Sequence, residues 1–414
     1  MQIPKEQLRQ GRIEALQKVK KERRRKKQVT SAATAAALIL CFFLSIRVSP
    51  TVASYAAKIP GLQIIVELIQ ENEGIKDAID HEYYEEIGVM ASKNGYTITL
   101  QGAIVDSYGM MLAYELLTIN ESLDKEVDKT QLFQDGKELV GSYSSGSRSY
   151  EDSMQSNDRL YDLLLTEPEI SESPNFIVKF TMPDGTEIDI PFTLNKPIAQ
   201  EKTIAPNETI TIDGQSFTIT KIRRTPLRIA IEVEPDPTNT MQILELENLQ
   251  IGIKNKSKRE LIKNGIVSHG SFREGKVTYY LQSNYFNESD ELTLRISEVH
   301  AVPKGEDFIL VDFANDEVVY VPDYIDWPME VKDNMLSYYA PVENNHGNEH
   351  FFPGERSDGT SLVRSTGSFY PLGVDENGFN YRDTYESYDG IAKLYVHYFD
   401  NPIASDIELT FKLE

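Results

Sequence analysis

The sequence predicts a mainly β protein: a single transmembrane helix followed by tandem immunoglobulin-like β-sandwich domains. Three observations predict it. Eighteen residues, Val29 to Ile46, carry no ionisable group except the thiol of Cys41; at about 1.5 Å per residue they come close to the roughly 30 Å of bilayer hydrocarbon. From about Glu82 onward apolar residues recur at every second position, the period of a strand with one buried face. Gly, Asn and Asp turns punctuate these runs, and a second passage repeats the first in outline, as tandem sandwiches do.

Residues 1–28 form a basic tail. They hold eleven Lys/Arg against Glu6, Glu14 and Glu22, a net charge of +8, so in a chain of net −23 the remainder carries −31. Lysines and arginines beside a span stay on the cytoplasmic side. Lys20, Lys21, Arg23, Arg24, Arg25, Lys26 and Lys27 therefore fix the topology, with the N-terminus inside and the body outside. The span is assigned to 29–48, with Ala35 to Leu44 as its most apolar part and Arg47 snorkelling into the far headgroups. This places the protein in the cell membrane as a single-pass chain. A cleaved signal peptide is the alternative, because Thr51, Ala53 and Ala56 also suit a cleavage site.

Within the tail, Pro4 can open a helix that brings Leu8, Leu16 and Val19 near one face. That face is a candidate dock for a cytoplasmic partner; the alternative is a solvated basic tail that only fixes orientation. So acidic a body excludes nucleic acid as a partner. Cys41 is the sole cysteine, so the exported part has no disulfide of its own and is held by burial.

Residues 49–81 read as a juxtamembrane amphipathic segment. Pro50 stops the span, Pro60-Gly61 breaks the chain, and Leu62, Ile65, Leu68 and Ile69 recur at helical spacing before Gly74 ends the helix. Residues 82–198 read as the first sandwich. IGVMAS and YTITLQGAIVD flank Lys93-Asn94-Gly95 as a hairpin, MMLAYELLTI is a third strand, and FIVKFTMPDGTEIDIPFTL is a hairpin turning at Asp184-Gly185. Between them the Ser-rich stretch Gly141 to Asp158 reads as a mobile loop, and Pro197 to Pro206 as a linker.

Residues 199–320 read as the second sandwich. TIT at Thr97 to Thr99 recurs at Thr218 to Thr220, an offset of 121, and AYE at Ala113 to Glu115 recurs as AIE at Ala230 to Glu232, an offset of 117. Residues 321–414 are an aromatic-rich β extension or a third small domain. Their Tyr and Phe residues, with Trp327, either form a face that stacks on cell-wall sugars or a peptide ligand, or fill a sandwich core.

The search for chemistry finds one suggestive motif. His346, Glu349 and His350 match the H-x-x-E-H pattern of inverted zinc proteases, but the surrounding ENNHGNEHFFPG reads as a surface turn and not the helix that catalysis needs. Ser122 and Lys125 have S-x-x-K spacing without a K-T-G partner. No nucleophile elbow or P-loop is present. The expectation is a non-enzymatic protein with no cofactor and no metal site.

Ile3-Pro4, the Lys/Arg block, Ser49-Pro50-Thr51, Lys58-Ile59-Pro60-Gly61 and Asn94-Gly95 with the following TITL together resemble the membrane-anchored bacterial family known as domain of unknown function 4179. The region from about Thr209 to Val321 looks like its companion C-terminal domain. The resemblance implies a single-pass protein with an extracytoplasmic β body, linked with sigma factors of the extracytoplasmic-function type and expected to act as an anti-sigma factor. The 28-residue tail departs from zinc-binding anti-sigma factors in having no His/Cys pattern, so a sigma factor would be held by the short helix alone. The alternative is a membrane-tethered wall-binding, ligand-binding or adhesion module whose tail merely anchors it.

Overall fold

The computed structural model describes residues 73–119, 123, 126–149, 159–166, 170–247, 250–255, 258–262, 267–286, 291–341, 350–367, 373–374 and 378–412. The basic tail, the span at 29–48 and residues 49–72 lie outside them. No helix among the described residues is long and apolar enough to cross a membrane. The protein is mainly β, and its contacts divide it into two compact units, one up to Ile198 and one from Ala199.

Among the described residues, the first unit begins with helix α1 (Glu73–Asp80). Gly74, expected to end a helix, instead lies in its first turn and is buried. Nine strands follow among the described residues: β1 (Glu85–Lys93), β2 (Tyr96–Asp106), β3 (Gly109–Thr118), β4 (Lys129–Gln134), β5 (Lys137–Leu139), β6 (Ser142–Ser149), β7 (Arg159–Thr166), β8 (Asn175–Thr181) and β9 (Glu187–Thr193). They form two antiparallel sheets, ordered β1-β2-β3-β7-β6 and β5-β4-β8-β9. Ile98, Leu100, Leu112 and Tyr114 from one sheet meet Leu132, Val178, Phe180 and Ile190 from the other in a single core.

Local chemistry explains the hairpins. Asn94 and Gly95 adopt φ of 49° and 89°, the left-handed values a tight β-turn needs. A bulge between Leu100 and Gly102 then shifts the alternation. Tyr96, Ile98 and Leu100 face the core before it, Ala103 and Val105 after it. The Ser-rich stretch corrects an expectation: Ser142–Ser149 is a strand, paired residue for residue with β7. Backbone pairing at a sheet edge needs no apolar side chain, so hydropathy gave no sign of it.

The second unit continues with β10 (Lys202–Ile204), β11 (Glu208–Ile212), β12 (Gln215–Arg224), β13 (Arg228–Pro235), β14 (Met241–Glu247), β15 (Gln250–Asn255), β16 (Lys258–Ile262), β17 (Val267–Ser271), β18 (Lys276–Gln282) and β19 (Glu291–Pro303). β10 falls inside the stretch that reads as a linker. Then come β20 (Phe308–Asp312), β21 (Glu317–Tyr320), β22 (Met329–Lys332), β23 (Met335–Pro341), β24 (Phe351–Arg356), β25 (Ser361–Leu362), β26 (Arg364–Gly367), β27 (Gly373–Val374), β28 (Gly378–Tyr385) and β29 (Ile391–Val396). The last is β30 (Pro402–Lys412).

One sheet, β10-β12-β13-β18-β17 with β11 also on β12, faces a second built on β19, which pairs with β14, β15 and β30. Phe217, Ile231, Tyr279, Leu292 and Leu294 fill the core between them. Strands β20 to β29 form two further sheets, β21-β20-β29-β24-β25 and β22-β23-β28-β26, over a third core of Ile309, Trp327, Leu336, Tyr338, Phe351, Tyr381 and Leu394.

The internal repeat is structural, and its register differs from the letter matches. The pair Lys93↔Tyr96 has its counterpart in Ile212↔Gln215, and the bulge at Leu100/Gly102 in the bulge at Ile219/Lys221, each 119 residues on. Gly88 and Asn207, both at positive φ, and the turns Asn94-Gly95 and Asp213-Gly214 keep the same offset. The two TIT strings and the AYE/AIE strings are therefore each two residues out of structural register, in opposite directions.

The topology also places the third sandwich. β30 pairs with β19 from Glu291 to His300, so β14 and β15, which pair with Glu298–Pro303 and Gln250's partner Arg295 back to Leu292, share the opposite edge. β30 thus occupies the position beside β19 that β9 occupies beside β8. Where β8 and β9 are joined by a tight turn, β19 and β30 are joined by an entire sandwich.

Candidate metal centre

Strand β19 carries a bulge between Ile296 and Glu298 where it meets β30. Past it, Val299 faces the core, and Glu298 and His300 share the outer face. On the neighbouring strand Glu247 stands directly opposite Glu298, and Glu245 directly opposite His300. The segment joining β29 to β30 crosses this face, held by Asn401, whose Nδ2 donates to the carbonyl of Ala301 at 2.8 Å. It brings Tyr398 and Asp400 alongside.

His300 is 1% exposed. Its Nε2 lies 2.6 Å from Oε2 of Glu247, where an imidazole N–H donates to the carboxylate. Its Nδ1 has no hydrogen-bond partner among the described residues and lies 3.7 Å from Oδ1 of Asp400. Donor atoms of Glu247, Glu298 and His300 all fall within 4.8 Å of one another. The Tyr398 ring packs on the imidazole at 5.7 Å between centroids. Burial first, and then the carboxylates of Glu247, Asp400, Glu245 and Glu298, push the Tyr398 phenol well above its ordinary pKa. One buried imidazole and the carboxylates of Glu247, Glu298 and Asp400 thus come together, an arrangement with the donor chemistry of a metal centre.

A second polar group joins the second and third sandwiches. The Arg273 guanidinium pairs with Asp307, donates to the carbonyl of Val396 at 3.5 Å and lies 4.1 Å over the Tyr395 ring. It lines a small cavity with Glu245, Phe352 and His397. These bonds are structural, because both sides of the junction are satisfied by one cation.

Leu8, Leu16, Val19 and Lys20 to Lys27 lie outside the described residues, as do His346, Glu349, Ser122 and Lys125. His350 overturns the surface-turn reading of its own position. It is fully buried, its Nδ1 lies 3.2 Å from the Tyr338 hydroxyl, and Trp327, Tyr381 and Tyr398 surround it. The aromatic face dissolves in the same way. Trp327, Tyr338, Tyr381, Tyr385 and Tyr398 are buried, and Tyr338 stacks on Trp327 and Tyr381 at 6.1 and 5.3 Å. Phe352 stays 39% exposed.

No sequence motif assigns His300 a role. The one legible signal was Glu298-Val299-His300, an alternation that sets two donors on one face of an apolar strand. Glu247, the third donor, comes from a different strand and could not be paired with them beforehand.

Two family models match the chain. Residues 23–118 match a domain of unknown function (DUF4179), and residues 201–331 match a family of unknown function (DUF5643). The two matches lie in tandem along the chain. The DUF4179 match ends at the last residue of β3, partway through the first sandwich, and the DUF5643 match takes in Glu247, Glu298 and His300 but not Asp400 or β30. No curated protein matches the chain. Among solved structures, the crystal structure of the conserved domain protein from Bacillus anthracis is similar at 12% identity and a TM-score of 0.35, over 57% of this chain and 84% of that one.

Proposed function

We propose that the chain is a non-enzymatic, single-pass signalling protein of the bacterial cell envelope. In this reading residues 29–48 cross the membrane and the β body lies outside and senses an envelope condition. Residues 1–28 hold an extracytoplasmic-function sigma factor through Leu8, Leu16 and Val19, as an anti-sigma factor does. The observation that carries the reading is the continuous DUF4179 match, which runs from the basic block through the uncharged stretch into the first sandwich. Basic residues before an apolar run support the inside-to-outside orientation. Of the rings that the wall-binding alternative relied on, Trp327, Tyr338 and Phe351 lie in the third core, while Phe352 stays exposed.

The test is capture of candidate sigma factors by the full-length chain in detergent. Wild type is expected to retain one, and Leu8→Glu, Leu16→Glu and Val19→Glu together to release it. Failure of every sigma factor to bind wild type, or a mature chain that starts beyond Ser54, overturns the proposal.

A further inference from the structure

We propose that Glu247, Glu298 and His300 form a binding site for a divalent transition-metal ion of the zinc class, with Asp400 orienting the imidazole. The inference stands apart from the signalling reading, since it concerns only the face of β14 and β19.

The donor set decides the class of ion. Calcium and magnesium take oxygen ligands throughout, whereas one imidazole with two carboxylates suits zinc and its neighbours. Three protein donors leave a fourth position open for water. Metal–ligand bonds of about 2.0–2.2 Å at tetrahedral angles set donor atoms roughly 3.4 Å apart. The three donors already fall within 4.8 Å of one another. The 2.6 Å contact between Nε2 and Glu247 is what two such donors do with a proton between them. Exchanging that proton for a metal ion needs the Glu247 carboxylate, 27% exposed, to withdraw by less than about 1 Å.

The other ring nitrogen fits as well. A metal-bound histidine usually donates its second N–H to a carboxylate, which fixes the ring. Nδ1 of His300 has no hydrogen-bond partner among the described residues and faces Asp400 at 3.7 Å. Glu247 and Glu298 are also directly opposed across the two strands. Like charges in that position repel, and a cation between them reverses the sign.

An ion here would tie β14 and β19 to the segment that re-enters the second sandwich as β30. It would act as a clip at the root of the inserted sandwich. With Nε2 holding the ion, the ring's proton would pass to Nδ1, where the Asp400 carboxylate can accept its hydrogen bond.

The full-length chain, stripped with a chelator, is titrated with zinc against a chromogenic chelator, and separately with cobalt for its visible absorption. Wild type is expected to bind one equivalent tightly. Glu247→Gln with Glu298→Gln should weaken that equivalent at least 100-fold, Asp400→Asn about 10-fold, and His81→Ala, at an exposed histidine elsewhere, not at all. Both glutamates are partly exposed, and circular dichroism of the metal-free variants checks that they fold. Absence of a tight equivalent in wild type, or equal affinity in the Glu247/Glu298 variant, overturns the proposal.

Discussion

The first two sandwiches are the same plan executed twice, and the positions where they differ are confined to particular faces. What the copies share is backbone: the turn at Asn94-Gly95 and Asp213-Gly214, the left-handed residue at Gly88 and Asn207, and the bulge that follows Leu100 and Ile219. Inward-facing positions stay apolar, with Ile98 and Leu112 matched by Phe217 and Ile231. The outer face does not. Ile104, Met111 and Ala113, all buried, are replaced by Arg223, Ala230 and Glu232, where the arginine pairs with the glutamate. Turns, bulges and one apolar face thus suffice to specify the sandwich. The opposite face is left to specialise.

The largest difference is the source of the strand beside β8 and β19. In the first copy β9 follows β8 directly, whereas in the second β30 arrives after a whole inserted sandwich. Deleting Pro402–Lys412 should therefore unfold the second sandwich, since it uncovers one edge of β19 along Glu291 to His300. The first sandwich should keep its amide protection in hydrogen exchange. Retained protection in β12, β13 and β18 would show β30 to be an accessory and not a β9 equivalent.

Core truncations probe the same comparison at smaller scale. Ile98 and Phe217 occupy matched positions and are fully buried. Ile98→Ala should cost about 2–5 kcal/mol and Phe217→Ala about 3–5 kcal/mol. Each should lower the chemical-denaturation midpoint of its own unit only. If both midpoints move together, the units unfold as one.

How much of this was legible beforehand follows from the physics of each feature. Alternation and turn residues reveal β1, β2, β8, β9 and β12, because a half-buried strand writes its period into the sequence, whereas β3, an apolar run without clear alternation, is a strand by its neighbours. Even the bulge left a trace, in the slip from Ile98 and Leu100 to Ala103 and Val105. β6 left none, since its serines carry no hydropathy signal. Short strings such as TIT misaligned the repeat because structural register is kept by turns and bulges, not by letters. FILVDFA reads as part of the second sandwich but begins the third, and no local feature betrays an insertion. The cluster around His300 was hidden for a similar reason: Glu298 and His300 are neighbours in sequence, while Glu247 and Asp400 are brought to them by strand pairing and by the return of the chain.

The finest distinction between the copies lies just after the matched bulges, where Gly102 of the first corresponds to Lys221 of the second. A Cβ added at Gly102 would meet the phenol of Tyr84 and sit 2.6 Å from the backbone carbonyl of Glu85. That segment cannot easily retreat. The Glu85 carboxylate accepts bonds from the backbone N–H and the side-chain amide of Asn195, both at 2.6 Å, and from the backbone N–H of Lys196 at 3.2 Å. Gly102→Ala should therefore destabilise the first unit by about 1–3 kcal/mol, as overpacking does. Lys221→Ala, at a half-exposed position that already carries a side chain, should stay within about 0.5 kcal/mol. Denaturant titration of both variants reads the contrast, and a reversal of their order would mean that the Tyr84 contact yields and that glycine is not required there.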